Sequence, residues 1–129
     1  MSQATTQEGP RGYSRKPKIL NLRFFPAGAG VPTYSAQDTK GVASIVRNNA
    51  GEYLITLIDA YNRLISAQAT IQMATATDLV PQFATIANLG TATPTTLLLR
   101  ANAVATPTDI AANANNSISV TLIFDDANS

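Results

Sequence analysis

The residues of this chain best equipped for chemistry are its eight carboxylates: Glu8, Asp38, Glu52, Asp59, Asp78, Asp109, Asp125 and Asp126. Two apposed acids can share the acid and base roles of glycoside hydrolysis, and clustered carboxylate oxygens can hold calcium. Neither use has a motif behind it here. Most of these acids fall at expected turns and strand ends, where a short carboxylate accepts from backbone amides, and Asp125-Asp126 reads as a solvated end. The chain contains no Cys and no His. That removes disulfides, thiol nucleophiles, zinc sites with Cys or His ligands, and imidazole acid–base catalysis. Gly28-Ala29-Gly30 lies between prolines rather than between a strand and a helix, so it lacks the setting of a phosphate-binding loop. A Ser–Lys pair would have to recruit Lys40 or an N-terminal lysine, and no spacing points to one. No catalytic residue, metal site or cofactor is expected.

A second group is basic. Residues 1–23 carry Arg11, Arg15, Lys16, Lys18 and Arg23 against Glu8 alone, a net of +4. The remainder carries Lys40, Arg47, Arg63 and Arg100 against seven acids, a net of −3 behind the overall +1. Such a front can be a solvated tail, a phosphate-binding segment in which Tyr13 stacks on a base, or an arm that lies on another protein. Five cations on a nearly neutral chain are few for nucleic acid. The reading preferred is the arm: Arg11, Arg15, Lys16, Lys18 and Arg23 meet an acidic protein surface, while Ile19, Leu20, Leu22, Phe24 and Phe25 anchor in it.

The elements that must position these groups are strands. Residues 1–18 are polar, contain Gly9-Pro10, Gly12 and Pro17, and have no periodic apolar pattern. Ile19 to Phe25 is apolar and aromatic, and Pro26 to Pro32 is rich in helix and strand breakers. Residues 1–40 therefore read as an extended arm and 41–129 as the body. Val42 to Arg47 and Glu52 to Ile58 flank Asn48-Asn49-Ala50-Gly51, the signature of an antiparallel hairpin. Its second run sets Tyr53, Ile55 and Leu57 on one side; its first sets Val42, Ser44 and Val46 opposite Ala43, Ile45 and Arg47. Asp59 to Arg63 is expected to turn. Ser66 to Thr75 alternates, with Ala67, Ala69, Ile71 and Met73 on one side. Leu79 to Ala87 is a strand whose Pro81 marks an edge or a start, with Phe83, Thr85 and Ala87 opposite Ala84 and Ile86. Thr95 to Ala101 follows, then a loop with one helical turn at Asp109 to Asn113. Last comes the clearest strand, in which Ile118, Val120, Leu122 and Phe124 alternate with polar partners.

At 129 residues, with 45% hydrophobic and only 13% charged side chains, this is one domain plus an appendage. Six or seven short strands imply an all-β fold, an antiparallel sandwich or jelly-roll-like barrel. No apolar run is long enough for a membrane helix. A surface poor in charge implies that part of it is covered in an assembly.

Gly41 to Arg47, Gly51 to Leu57 and Tyr61 to Ile65, together with Thr108 to Ala112 and Ile118 to Phe124, resemble a short β-domain of tailed-bacteriophage virion structural proteins. The resemblance implies a non-enzymatic capsid decoration (cement) protein on the outside of the head, assembled in the host cytoplasm. Its implied partners are the major capsid protein and further copies of itself, as a homotrimer. The alternative is a head- or tail-fibre module that binds a receptor glycan. In the first reading the arm bridges neighbouring capsid subunits, and removing residues 1–25 is expected to leave a folded body that no longer attaches.

Overall fold

The computed structural model describes residues 17–104 and 106–125. Its strands are β1 (Pro17–Phe24), β2 (Val42–Asn49), β3 (Glu52–Leu57), β4 (Arg63–Gln72), β5 (Val80–Ala87), β6 (Thr96–Ala103), β7 (Thr106–Pro107) and β8 (Ser117–Asp125). A single 3-10 turn at Ala36–Asp38 is the one helical element among the described residues. The order β1-β8-β4 makes one sheet; β2-β3-β6-β5, with β7 paired to β6, makes the other. All pairings between strands are antiparallel. The expected all-β sandwich is what the chain forms.

The core lies between the sheets. Ile118, Val120, Leu122 and Phe124 of β8 face Ile45, Tyr53, Ile55, Leu57, Leu97 and Leu99 of the second sheet, all of them buried. Phe124 stacks on Tyr61 with ring centres 4.1 Å apart, and Phe24 meets Tyr53 at 5.3 Å. Alternation holds through Ile118 to Phe124 of β8, Tyr53 to Leu57 of β3 and Thr96 to Ala101 of β6, strands that are each flanked on both sides and buried on one face.

Two edge strands depart from strict alternation. A register shift between Val42 and Ser44 turns both Val42 and Ile45 inward, where Val42, Ser44 and Val46 were expected together. In β5 a shift between Phe83 and Thr85 brings Phe83 and Ile86 to the core, although they were placed on opposite faces. A bulged residue is unpaired, so the side-chain period slips by one. Pro81 does sit on an edge strand. Arg63 opens β4 instead of closing a turn, and Asp109 to Asn113 forms no helical turn.

The larger correction concerns the boundary expected at residue 40. β1 pairs along its whole length with β8, from Pro17 opposite Asp125 to Phe24 opposite Ile118. Leu20, Leu22 and Phe24 are buried in the chain's own core. The segment after β1 is also part of the body: Phe25 and Thr33 exchange backbone hydrogen bonds, the Gly28 amide donates to Ile110, and Pro26, Pro32 and Thr39 are buried. The described residues from Pro17 on thus belong to the sandwich. An arm, if confined to what precedes it, lies in residues 1–16, outside the described residues.

Hairpin β2–β3 turns at Ala50-Gly51, and only Gly51 of its loop has a positive φ, +68°. A Cβ there would stand 2.3 Å from the Thr108 amide nitrogen and 2.8 Å from the Pro107 carbonyl carbon. That neighbour is backbone and cannot swing aside, so the β7–β8 loop and the hairpin tip are fitted to each other.

Phe24→Ala is expected to destabilise the fold by about 3–5 kcal/mol, as for other buried aromatic truncations. Urea unfolding of the two proteins measures it. A change within error would mean that β1 is dispensable to the body.

Candidate functional site

Four of the six acids among the described residues face arginines. Asp109 reaches from the β7–β8 loop to the hairpin tip. Its Oδ1 accepts from Arg47 Nε at 3.0 Å and from the Gly51 amide at 2.8 Å, and its Oδ2 accepts from Arg47 Nη2 at 2.8 Å. Glu52 Oε2 accepts from Arg100 Nε at 2.7 Å, while its Oε1 accepts from the side-chain amides of Asn48 and Asn49, each at 3.3 Å. Arg63 pairs with Asp125, whose side chain is buried. Asp125 is therefore no solvated end; Asp126 lies outside the described residues. Asp38 stands 3.8 Å from Arg23. Each of the four arginines among the described residues thus faces a carboxylate.

These pairings decide what the acids can do. The bidentate Arg47 contact holds the Asp109 carboxyl below the ordinary carboxylate range, against a smaller opposing effect of burial, and the Gly51 amide adds to it. At Glu52 burial is the largest single influence and works upward. It is outweighed by the combined hydrogen bonds from Arg100, Asn49 and Asn48, so this carboxyl also lies low. Neither is a proton donor near neutral pH, as a carboxylate hydrolase would require. The buried Tyr53 hydroxyl is pushed up by burial first and by the Asp109 charge second, and it makes no hydrogen bond of good geometry. Among the described residues no group of three or more His, Cys, Asp and Glu is placed to hold a metal ion. No described helix is long and apolar enough to cross a membrane.

An open groove with convergent polar groups lies where the 3-10 turn stands beside β1 and β8. Asn21 and Arg23 project outward from β1 because Leu20, Leu22 and Phe24 point in. Thr121 and Ser119 stand opposite them on β8, and Thr121 Oγ1 donates to Asn21 Oδ1 at 2.9 Å. Gln37 and Asp38 form the wall. Ser35 fixes that turn: its Oγ accepts from the Asp38 amide at 3.2 Å, and its carbonyl accepts from Thr39 Oγ1 at 2.8 Å. Arg23 also lies over the Phe25 ring, 5.1 Å from its centre. Neutral donors and acceptors with one loose ion pair suit hydrogen bonding to a peptide or a sugar. Nothing in the groove activates a nucleophile.

Of the residues expected to grip a partner, Arg11, Arg15 and Lys16 lie outside the described residues. Lys18 and Ile19 are exposed at the start of β1, and Arg23 and Phe25 are partly exposed beside the groove. Leu20, Leu22 and Phe24 cannot be anchors in a partner, because the chain's own core already holds them. Asn21, Ser119, Thr121, Gln37 and Asp38 were missed. Only the polar positions alternating with Leu20, Leu22 and Phe24 hinted at an outward face.

Removing the Asp109 carboxylate leaves the buried Gly51 amide and the Arg47 guanidinium without an acceptor. Asp109→Ala should therefore cost about 1–3 kcal/mol, and Asp109→Asn less, by denaturant titration. The folded-state pKa values of Asp109 and Glu52 are depressed, so their contribution is complete above the unfolded carboxylate range near pH 4 and is lost as pH falls through the folded values. A melting temperature that falls below about pH 4 in the native chain, and falls less in Asp109→Asn, is the expected result. No protein-family model, no curated protein and no solved structure matches this chain.

Proposed function

We propose that this chain is a non-enzymatic structural protein of a bacteriophage virion, a decoration protein that sits on the outside of the head and ties neighbouring major capsid proteins together. One observation carries the reading. Each described arginine already faces a carboxylate of its own chain, and the low-lying carboxyls of Asp109 and Glu52 offer no acid catalyst. What remains for attachment is surface and leader. The sequence resemblance in residues 41–65 and 108–124 supplies the virion context.

The division of roles differs from a forty-residue arm. β1 is a fixed edge of the body, and exposed Lys18 and Ile19 at its start continue a leader that carries Arg11, Arg15 and Lys16. Cations on a segment ahead of a rigid sheet edge fit an acidic shell exterior, and repetition over many symmetric copies makes single weak contacts collectively strong. Self-association as a homotrimer is part of the same proposal. A receptor-glycan module is the second reading, favoured by the polar groove of Asn21, Gln37 and Thr121. It lacks an exposed aromatic platform in Tyr53 and Phe124, which are buried.

Antibody against the chain should label the heads of intact virions in electron micrographs; label confined to tails would overturn the proposal. In co-sedimentation with shells of the cognate major capsid protein, removing residues 1–16 should weaken attachment by about tenfold or more, and salt should weaken it further. Undiminished attachment of the shortened chain would rule out the leader.

A further inference from the structure

The four arginines among the described residues are not paired alike. Arg47, Arg63 and Arg100 reach their carboxylates within hydrogen-bond range, at 2.8, 2.5 and 2.7 Å. Arg23 does not. Asp38 stops 3.8 Å away, and the Arg23 guanidinium donates no hydrogen bond among the described residues. Both side chains are close to half exposed, at 49% and 40%, and an ion pair so placed contributes little and exchanges readily. Arg23 is nevertheless held in position. Its guanidinium lies over the Phe25 ring, and Phe25 exchanges two backbone hydrogen bonds with Thr33. It is a cation fixed in place but short of an acceptor.

The groove around it is rich in unused donors. Ser119 stands opposite Arg23 on β8, exposed and with its hydroxyl unbonded among the described residues. Asn21 engages only its oxygen, with Thr121, so its amide hydrogens are free to donate, and Gln37 is exposed on the wall. Of the side chains that line the groove, Asp38 alone is acidic. Donors gathered around one guanidinium call for a ligand with a planar carboxylate and further acceptors. An acidic polypeptide and an acidic glycan both offer that. No aromatic side chain lines the groove, and the ring beside it, Phe25, is covered by Arg23, so a sugar has nothing to stack on. The amides and hydroxyls of Asn21, Gln37 and Ser119 suit a peptide backbone instead.

We propose that the groove binds an aspartate or glutamate side chain of an acidic polypeptide, the incoming carboxylate displacing Asp38 from Arg23. The groove volume, about 340 Å³, lies at the low end for ligand sites and admits a few side chains of an extended segment. Arg23 lies roughly 20 Å along β1 from Pro17, so the groove and the leader are separate grips. That the polypeptide belongs to the capsid protein rests on the proposed function; the groove then gives the body its own contact with an acidic shell exterior.

Fluorescence anisotropy of a labelled hexaglutamate peptide against the full chain reads the site, with hexagalacturonate as the glycan probe. Saturable binding of hexaglutamate is expected. Arg23→Gln should weaken it at least about tenfold, through loss of charge-assisted hydrogen bonds. Asp38→Asn should tighten it about two- to fivefold, because the competing carboxylate is gone. Lys40→Gln and Asp59→Asn make the same charge changes at exposed positions outside the groove, and each should shift binding by less than about twofold. Ser119→Asp, which puts a carboxylate opposite Arg23, should abolish binding with Arg23 still present. Absence of hexaglutamate binding, equal losses in Arg23→Gln and Lys40→Gln, or weaker binding in Asp38→Asn would overturn the groove as a carboxylate site. Tighter binding of hexagalacturonate would overturn a polypeptide as its occupant. A chain that labels virion heads but ignores hexaglutamate loses the groove alone; one that binds it through Arg23 yet labels tails keeps the groove and loses the shell.

Discussion

Strand β8 lies between β1 and β4, and without it neither would have a backbone partner in its sheet. Leu122 opposes Leu20 on one side and Ala67 on the other; Phe124 opposes Lys18 and Leu64. Its four inward side chains, Ile118, Val120, Leu122 and Phe124, are essentially removed from water. At about 1.5–3 kcal/mol each, they contribute roughly 6–12 kcal/mol. That is the size of the net stability of a whole domain. The groove on the outer face is therefore hung on this one central strand.

Charge plays a different part. Partly exposed ion pairs contribute little to stability individually. Arg47–Asp109 fastens the hairpin tip to the β7–β8 loop, and Arg100–Glu52 adds a cross-strand pair between the already paired β6 and β3. Arg63–Asp125 is uneven, with the arginine 67% exposed and the aspartate 4%. The cation can leave for water while the carboxylate cannot, so the pair matters mainly as insurance against a buried charge.

What the sequence made legible follows the reach of its patterns. β8 and β3 could be read because alternation is a local property, and Gly51 because its turn is local too. Bulges hid the true inward sets of β2 and β5, since a one-residue slip shows no mark in the sequence. The alternation of Leu20, Leu22 and Phe24 was visible, but the strand that takes them in lies about a hundred residues later. An apolar strand with no neighbour in sight looks like an arm. The ion pairs were illegible for the same reason, as Arg47–Asp109 and Arg63–Asp125 each span 62 residues. The groove depends on a loop folding back beside two strands, which no spacing announces.

The pairing of β1 with β8 sets a timetable for synthesis. Leu20, Leu22 and Phe24 leave the ribosome early, and their partners in β8 follow only after about a hundred more residues. At about 5–20 residues per second, that leaves the first strand waiting several seconds to tens of seconds with its apolar face uncovered. During this interval it is a natural handhold for chaperones, and in a crowded polysome it is the segment most exposed to capture by the β8 of a neighbouring nascent chain.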